Sequence, residues 1–485
     1  MVLEDYYSMQ FLDNIGDVDM QMIKTPVNGM KDIEPREMEI RQFILSKIRE
    51  VYSRFGFTEI ETPNIEHIEN LLSDQGWDNE KLIFKILKRG EKLDKAFEAG
   101  NMNELVDSGL RYDLTVPLCR FYSNNKDKLT MPFKAMQIGN VYRADRPQKG
   151  RFRQFCQCDI DILGEATNLG EIETLLATST LLKEIGFDKY NFSFDINDRR
   201  ILRAMNTYAG FTDDDFESVC ITLDKLDKVG FDGVKKELLE KGFEEDKIDK
   251  FNSLFDAIGG SNNVGASNNV GASYASPIDA IRNLQNKIVG TSGNVVTSNN
   301  VGATPCKHTE NRMGELCEPE SLMDVELVSI CNNLIEIIES ITKNVDVKIN
   351  FNPTLVRGMG YYTGPIFEIK SEKFSGSVGG GGRYDKMVSK FIGQDVPALG
   401  ISIGFERIIG IYLDDNFKIP GNVKKIAYLI DKGMPIDKKA DVIKQALEER
   451  KSGNIVYIAE LAKNKKFQCE KLEAIGYTEF KTFNL

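Results

Sequence analysis

Residues 141–161 read VYRADRPQKGRFRQFCQCDID, and the fold turns on how this stretch is read. With its flanks it reads as two strands over 131–163 joined by a polar loop. On the second strand, alternation puts Arg153, Phe155, Gln157, Asp159 and Asp161 on one face. The other face carries Phe152, Gln154, Cys156, Cys158, Ile160 and Ile162. A face with an Arg, an amide and two carboxylates is poor core material. It suits a wet site on an antiparallel sheet whose other side is packed.

Upstream, Ile40, Phe43, Ile44, Ile48, Val51, Tyr52 and Phe55 recur at helical spacing, so a helix is expected over 36–55. Pro35 fits its first turn and Gly56 its stop. A strand, FTEIETP, follows at 57–63. Downstream, 197–342 turns helical and charged, as in KKELLEKGFEEDKIDKF. Within it SNNVGA occurs at 261–266, 267–272 and 298–303. So much Asn, Gly and Ser cannot bury enough apolar area to offset ordering entropy. The expectation is a loosely ordered surface loop over 259–304. Inside it PIDAIRNLQNKIV carries Ile278, Ile281, Leu284 and Ile288, enough for a short packed helix. After a linker with Pro420 and Gly421, residues 423–485 alternate strand and helix, which predicts a small α/β domain.

Other segments carry chemistry. LVRGMGYY (355–362) places an Arg in a Gly-hinged run beside two phenols. That suits a phosphate or carboxylate next to a small aromatic ligand. RYDLTVP (111–117) and GISIGFER (400–407) bring further acids and cations. Activating a carboxylic acid with ATP needs no protein nucleophile, because the substrate carboxylate attacks the α-phosphate. The protein must hold the two in line and stabilise charge on the phosphate oxygens. Arg143, Arg357 and Arg407 suit that task, since guanidinium stays charged and binds oxyanions through paired donors. GSVGGGGRYD (376–385) lacks the GK[ST] of a P-loop; its glycines would admit a flat ligand such as adenine or form a hairpin.

The bulk numbers exclude several classes. No apolar run reaches the roughly 18 residues of a membrane span. The start, MVLEDYYSMQF, has neither a basic secretory region nor an Arg-rich transit pattern. The eight cysteines include no CxxC pair and read as free thiols of a reducing compartment. Cys306, His308 and Cys317 share a polar loop without a fourth partner, so no structural zinc is expected. A formal charge of −12 argues against a general nucleic-acid coat, while leaving room for a local basic surface where phosphates dock.

In combination, LVRGMGYY, RYDLTVP, the 141–161 stretch and GISIGFER resemble histidyl-tRNA synthetase, a class II aminoacyl-tRNA synthetase. The likeness runs from about 24 to 480, apart from the repeat loop. It implies an α+β fold: an antiparallel class II sheet flanked by helices, a helical insertion, and a small C-terminal anticodon-binding-like domain. The implied parts are a catalytic domain over 1–196 and 343–415, the insertion at 197–342, and the last domain at 423–485. The helix at 36–55 and its strand would be motif 1, the dimer interface in that family.

The resemblance also assigns residues. Asp113 and Thr115 would take the α-amino group of histidine, and Gln157 would lie near it. Asp161 would bind the imidazole, with Tyr361 and Tyr362 lining its pocket. Arg143 and Arg357 would act at the α-phosphate, and Arg143 also at the substrate carboxylate. Arg407 would meet the γ-phosphate, with Arg151 and Arg153 serving ATP phosphates and the tRNA end. The implied reaction joins L-histidine to tRNA(His) through a histidyl-adenylate. It uses ATP with Mg2+ carried on the nucleotide, in a cytoplasmic homodimer. An alternative is a non-catalytic paralogue that regulates histidine biosynthesis or senses tRNA; retention of Arg143, Arg357 and Arg407 speaks against it. Two departures stand out: Gly360 replaces the family's usual acid before the tyrosines, and the 423–485 segment is short.

Overall fold

The computed structural model describes residues 22–72, 80–100, 102–148, 150–223, 225–258, 276–290, 319–356, 361–421 and 423–485. Its centre is an eight-stranded sheet. In spatial order the strands are Thr58–Ile60, Phe133–Tyr142, Gln154–Leu163, Ala398–Ile403, Phe374–Arg383, Pro365–Ser371, Phe192–Asp198 and Lys348–Phe351. The inner pairs are antiparallel, as expected. The two outermost pairs are parallel, which the expectation of an antiparallel sheet did not include.

One face of this sheet makes the core. Cys158, Ile160 and Ile162 pack with Ile40, Ile44, Ile48, Val51 and Tyr52 of the Pro35–Arg54 helix, and with Leu175, Leu181 and Leu182 of the Leu169–Glu184 helix. Most of these side chains are inaccessible to solvent, and each such burial contributes about 1.5–3 kcal/mol. Pro35 starts the first helix, and Gly56, at φ 80°, lies just beyond its end. The other face, with Phe155, Gln157, Asp159 and Asp161, borders a cavity. Alternation was therefore the right rule from Gln154 onward. Arg153 lies outside it, because the strand begins at Gln154.

Among the described residues, six helices lie between the Phe192–Asp198 and Lys348–Phe351 strands: Arg199–Ala209, Phe216–Leu223, Leu226–Glu240, Glu245–Ala257, Pro277–Val289 and Pro319–Thr342. Their buried residues, among them Ile201, Phe251, Leu254, Leu284 and Ile337, join the same core as the sheet. The Pro277–Val289 helix corrects the loose loop expected over 259–304. Its Ala280, Ile281 and Leu284 are buried, because helical spacing behind an N-terminal Pro gives it an apolar face to pack. The SNNVGA copies and Cys306, His308 and Cys317 lie outside the described residues.

Residues 425–483 form a separate three-stranded parallel sheet, with Lys425–Ile430 between Ile455–Glu460 and Glu479–Phe483. The Ile436–Lys451 and Lys465–Ala474 helices cover its two faces, through Val442 and Ala446 on one side and Leu472 on the other. This is the strand–helix alternation expected. Among the described residues no helix is long and apolar enough to cross a membrane.

Candidate active site

The cavity on the open face of the large sheet measures about 510 Å3. Its walls come from segments far apart in sequence: 112–115, 143–161, 361–384 and 400–407. Strand pairing unites them. Gly400 lies opposite Asp161 and Ser402 opposite Asp159 in the sheet register. A Cβ built at Gly400 would come within 1.9 Å of Asp161 Oδ1, so this glycine makes room for the carboxylate.

One end is acidic and buried. Asp113, Asp159 and Asp161 are each 5% exposed or less. Asp113 Oδ1 accepts the Val116 N–H at 3.2 Å, in the first turn of the Thr115–Asn125 helix. Tyr384 donates a hydrogen bond of 2.6 Å to Asp161 Oδ1. Gln157 Nε2 donates to Asp159 Oδ2 at 3.3 Å and lies 3.4 Å from Ser402 Oγ. The rings of Tyr361 and Tyr362 are 4.8 Å apart, and Tyr384 meets Tyr361 edge-on at 6.0 Å. Burial pushes the Asp113 carboxyl up, against the pull of the Val116 amide and Arg143. Burial and the neighbouring Asp161 drive Asp159 well above the usual range. Asp161 is pushed up to about 7, chiefly by burial, with Tyr384 opposing and Asp113 adding to the rise. Three carboxylates crowded together out of water make a site that gains from a cation or from ring N–H donors.

The other end is basic. Arg143 donates from Nε to the Tyr112 carbonyl at 3.0 Å. Its guanidinium lies 4.1 Å from the Tyr112 ring and 5.2 Å from the Phe155 ring, so two aromatic faces set its plane. Arg407 donates to the Ser377 carbonyl and, at 3.3 Å, to its hydroxyl, with Phe374 beneath at 5.4 Å. Ser377 sits where the Phe374–Arg383 strand breaks register with its neighbour, which turns it toward Arg407. Arg151 reaches the rim, half-exposed, 3.8 Å from Asp145.

Glu406, next to Arg407, also faces the cavity. Arg41 grips it with two bonds of 2.6 and 2.8 Å, and the Cys156 N–H adds a third at 3.1 Å. Its charge is thus already answered by the protein.

The structure brings together Asp113, Thr115, Arg143, Arg151, Gln157, Asp161, Tyr361, Tyr362 and Arg407 of the expected set. Arg153 does not line the cavity. Its guanidinium donates to the Asp145 and Asn28 carbonyls, and it packs against Gly29. Arg357 and Gly360 lie outside the described residues. Sequence reasoning placed Asp159 on the site face without a role, and missed Tyr384 and the Arg41–Glu406 pair. The glycine run before Tyr384 forms the second arm of an antiparallel hairpin with Pro365–Ser371. It is an inner strand, and a Cβ at Gly381 would meet the Gly400 carbonyl at 1.8 Å.

Comparison with known proteins points one way. The family model described as histidyl-tRNA synthetase matches residues 29–295 and 308–408. A histidine–tRNA ligase from Leifsonia xyli subsp. xyli is 37% identical over 461 residues, covering 94% of this chain and 94% of that protein. A probable histidine–tRNA ligase from Tropheryma whipplei is 37% identical over 455 residues, with the same coverage of both. In structure, the chain is similar in fold to the histidyl-tRNA synthetase from Nostoc sp. PCC 7120, with a TM-score of 0.67 at 24% identity, covering 94% of this chain and 90% of that one.

Proposed function

The chain belongs to the histidyl-tRNA synthetase family, and on that premise we propose how its own residues join L-histidine to tRNA(His) at the expense of ATP. In the first step the histidine carboxylate attacks the α-phosphate, histidyl-adenylate forms and pyrophosphate leaves. In the second, a terminal ribose hydroxyl of the tRNA attacks the activated carbonyl and AMP leaves.

The observation that carries this reading is the division of one cavity into a buried acidic, phenolic end and an arginine-lined end. Imidazole has two ring nitrogens that donate or accept. Asp161, oriented by Tyr384, takes one ring N–H, while the Tyr361 and Tyr362 phenols face the rest of the ring. Asp113, Thr115 and Gln157 hold the α-amino group. An amino acid without those ring nitrogens would leave the pocket's polar groups unpaired, which is the strongest form of rejection available to a binding site.

Arg143, already clamped between two rings, meets the substrate carboxylate and the α-phosphate. Arg357 acts at the same phosphate, and Arg407, with Arg151 at the rim, meets the outer phosphates. Arg153 is left out, because its guanidinium is engaged on backbone carbonyls. Among the described residues no three His, Cys, Asp or Glu side chains cluster to hold a metal, and Glu406 is taken by Arg41. Magnesium would arrive with the ATP and neutralise phosphate charge there. The developing charge is otherwise met by the arginines.

Residues 1–196 and 343–415 act as the catalytic domain, 197–342 as the insertion, and 423–485 on the anticodon side of the tRNA. The working form is a cytoplasmic homodimer joined around the Pro35–Arg54 helix. Charging a tRNA(His) transcript with labelled histidine tests the whole reading. Folded protein that yields no histidyl-tRNA would overturn it.

A further inference from the structure

Eight buried side-chain polar atoms lack a partner among the described residues, and three of them line this one cavity: Asp113 Oδ2, Gln157 Oε1 and Asp159 Oδ1. All three are acceptors. A buried acceptor without a donor is costly, and three gathered in one cavity fit a ligand rich in donors. The ligand must offer several N–H groups and positive charge; a primary ammonium has three and carries it.

The resemblance gives roles to Asp113 and Gln157 but none to Asp159. Its placement is nonetheless well defined. Asp159 lies between Gln157 and Asp161 on the strand face that borders the cavity, opposite Gln137 on one neighbouring strand and Ser402 on the other. It is 5% exposed. Its Oδ2 receives the Gln157 amide, which fixes that side chain with Nε2 on the carboxylate and Oε1 left as an acceptor. Among the described residues no donor within hydrogen-bond geometry meets its Oδ1, although the Ser402 hydroxyl acts on the carboxylate from the neighbouring strand. Asp159 therefore does two things: it orients Gln157, and it presents a second oxygen of its own.

We propose that Asp159 is a further anchor for the substrate's α-ammonium, beside Asp113, Thr115 and Gln157, and so sets the requirement for a free α-amino group. The proposal rests on reading this cavity as the histidine site. One ammonium with three N–H groups would then answer all three orphaned acceptors, and substrate binding would neutralise the acidic end.

Asp159→Asn keeps the shape and removes the charge. The test is histidine-dependent pyrophosphate exchange, with two competing probes. Histidinol keeps the ring and the ammonium; imidazolepropionate keeps the ring and the carboxylate but has no ammonium. In the variant, the histidine KM and the histidinol inhibition constant should each rise about 10- to 100-fold, the size of one charged hydrogen bond. The ATP KM and the imidazolepropionate inhibition constant should stay within about twofold. Equal weakening of both probes would show a packing role and overturn the proposal, as would no change in either. Should the Asn variant fail to fold, as read by thermal melting, Asp159→Ser is judged by the same ratio of the two probes. A wild-type protein without histidine-dependent exchange would instead overturn the reading of the site, and the proposal with it.

Discussion

Tyr384 donates to Asp161 across the cavity floor, and this bond joins the end of a glycine-rich strand to a carboxylate two strands away. It opposes the effect of burial on Asp161 without cancelling it, so the carboxyl remains elevated at about 7. The residue that reads the ring in our proposal thus responds to its surroundings near neutral pH.

Asp161→Asn should raise the histidine KM strongly, by about 10- to 1000-fold, and leave the ATP KM nearly intact. Steady-state exchange at varied histidine and varied ATP separates the two. Loss of ATP affinity with histidine affinity kept would move Asp161 to the nucleotide site.

The same substitution should flatten the pH dependence of stability in the ligand-free protein. Asp161 binds its proton more tightly when folded than when unfolded. The resulting stabilisation is fully present below the ordinary aspartate range and is lost as pH rises through about 7. Between pH 6 and pH 8 that ionisation is worth on the order of 1 kcal/mol. Wild type should therefore lose more melting temperature than Asp161→Asn on going from pH 6 to pH 8. Parallel curves would show that Asp161 does not titrate in that window.

Gly400→Ala places a methyl group 1.9 Å from Asp161 Oδ1, a distance no packing tolerates. The carboxylate must move, at a cost of about 1–3 kcal/mol. The expected result is a higher histidine KM with a smaller change for ATP. A variant with wild-type histidine KM would mean that Asp161 is free to shift without consequence, against its assigned role.

Arg41→Met should lower stability by about 3–5 kcal/mol, because it strands the Glu406 carboxylate, whose side chain is 8% exposed. Adding Glu406→Gln should recover part of that loss, since the stranded charge is then gone. A double-mutant cycle read by melting measures the coupling; strictly additive losses would show that the pair is not energetically linked.

Leu284→Ala should cost about 2–5 kcal/mol, as for any fully buried leucine that leaves a cavity. Removing only 261–272, two SNNVGA copies, should leave the melting temperature almost unchanged, because that composition offers little apolar surface. Measuring both variants side by side checks that the stability contributed by the 259–304 region lies in its helix. A large drop from the short cut would contradict this.

Much of the site was legible because period-two alternation is a local rule. Once 154–163 is a strand, Gln157, Asp159 and Asp161 must share a face. Arg153 failed for the same reason: the rule holds only inside the strand, and the chain leaves it one residue earlier. Tyr384 was not legible. Glycine usually weakens strands, so a run of four argues for a turn. Only the pairing of Phe374–Arg383 with Ala398–Ile403 shows why side chains are absent there: a Cβ at Gly381 would strike the Gly400 carbonyl. Arg41 was hidden because its partner lies 365 residues away, and helical periodicity says only which residues face inward. The Pro277–Val289 helix was visible as a pattern but was outweighed by the low-complexity sequence on both sides.

Pyrophosphate exchange with each of the twenty amino acids tests the central claim most directly, because it needs only this chain, ATP with magnesium, and one free amino acid at a time. Exchange above background with L-histidine alone is the predicted result. Exchange with a different amino acid, or silence with all twenty from folded protein, would contradict it.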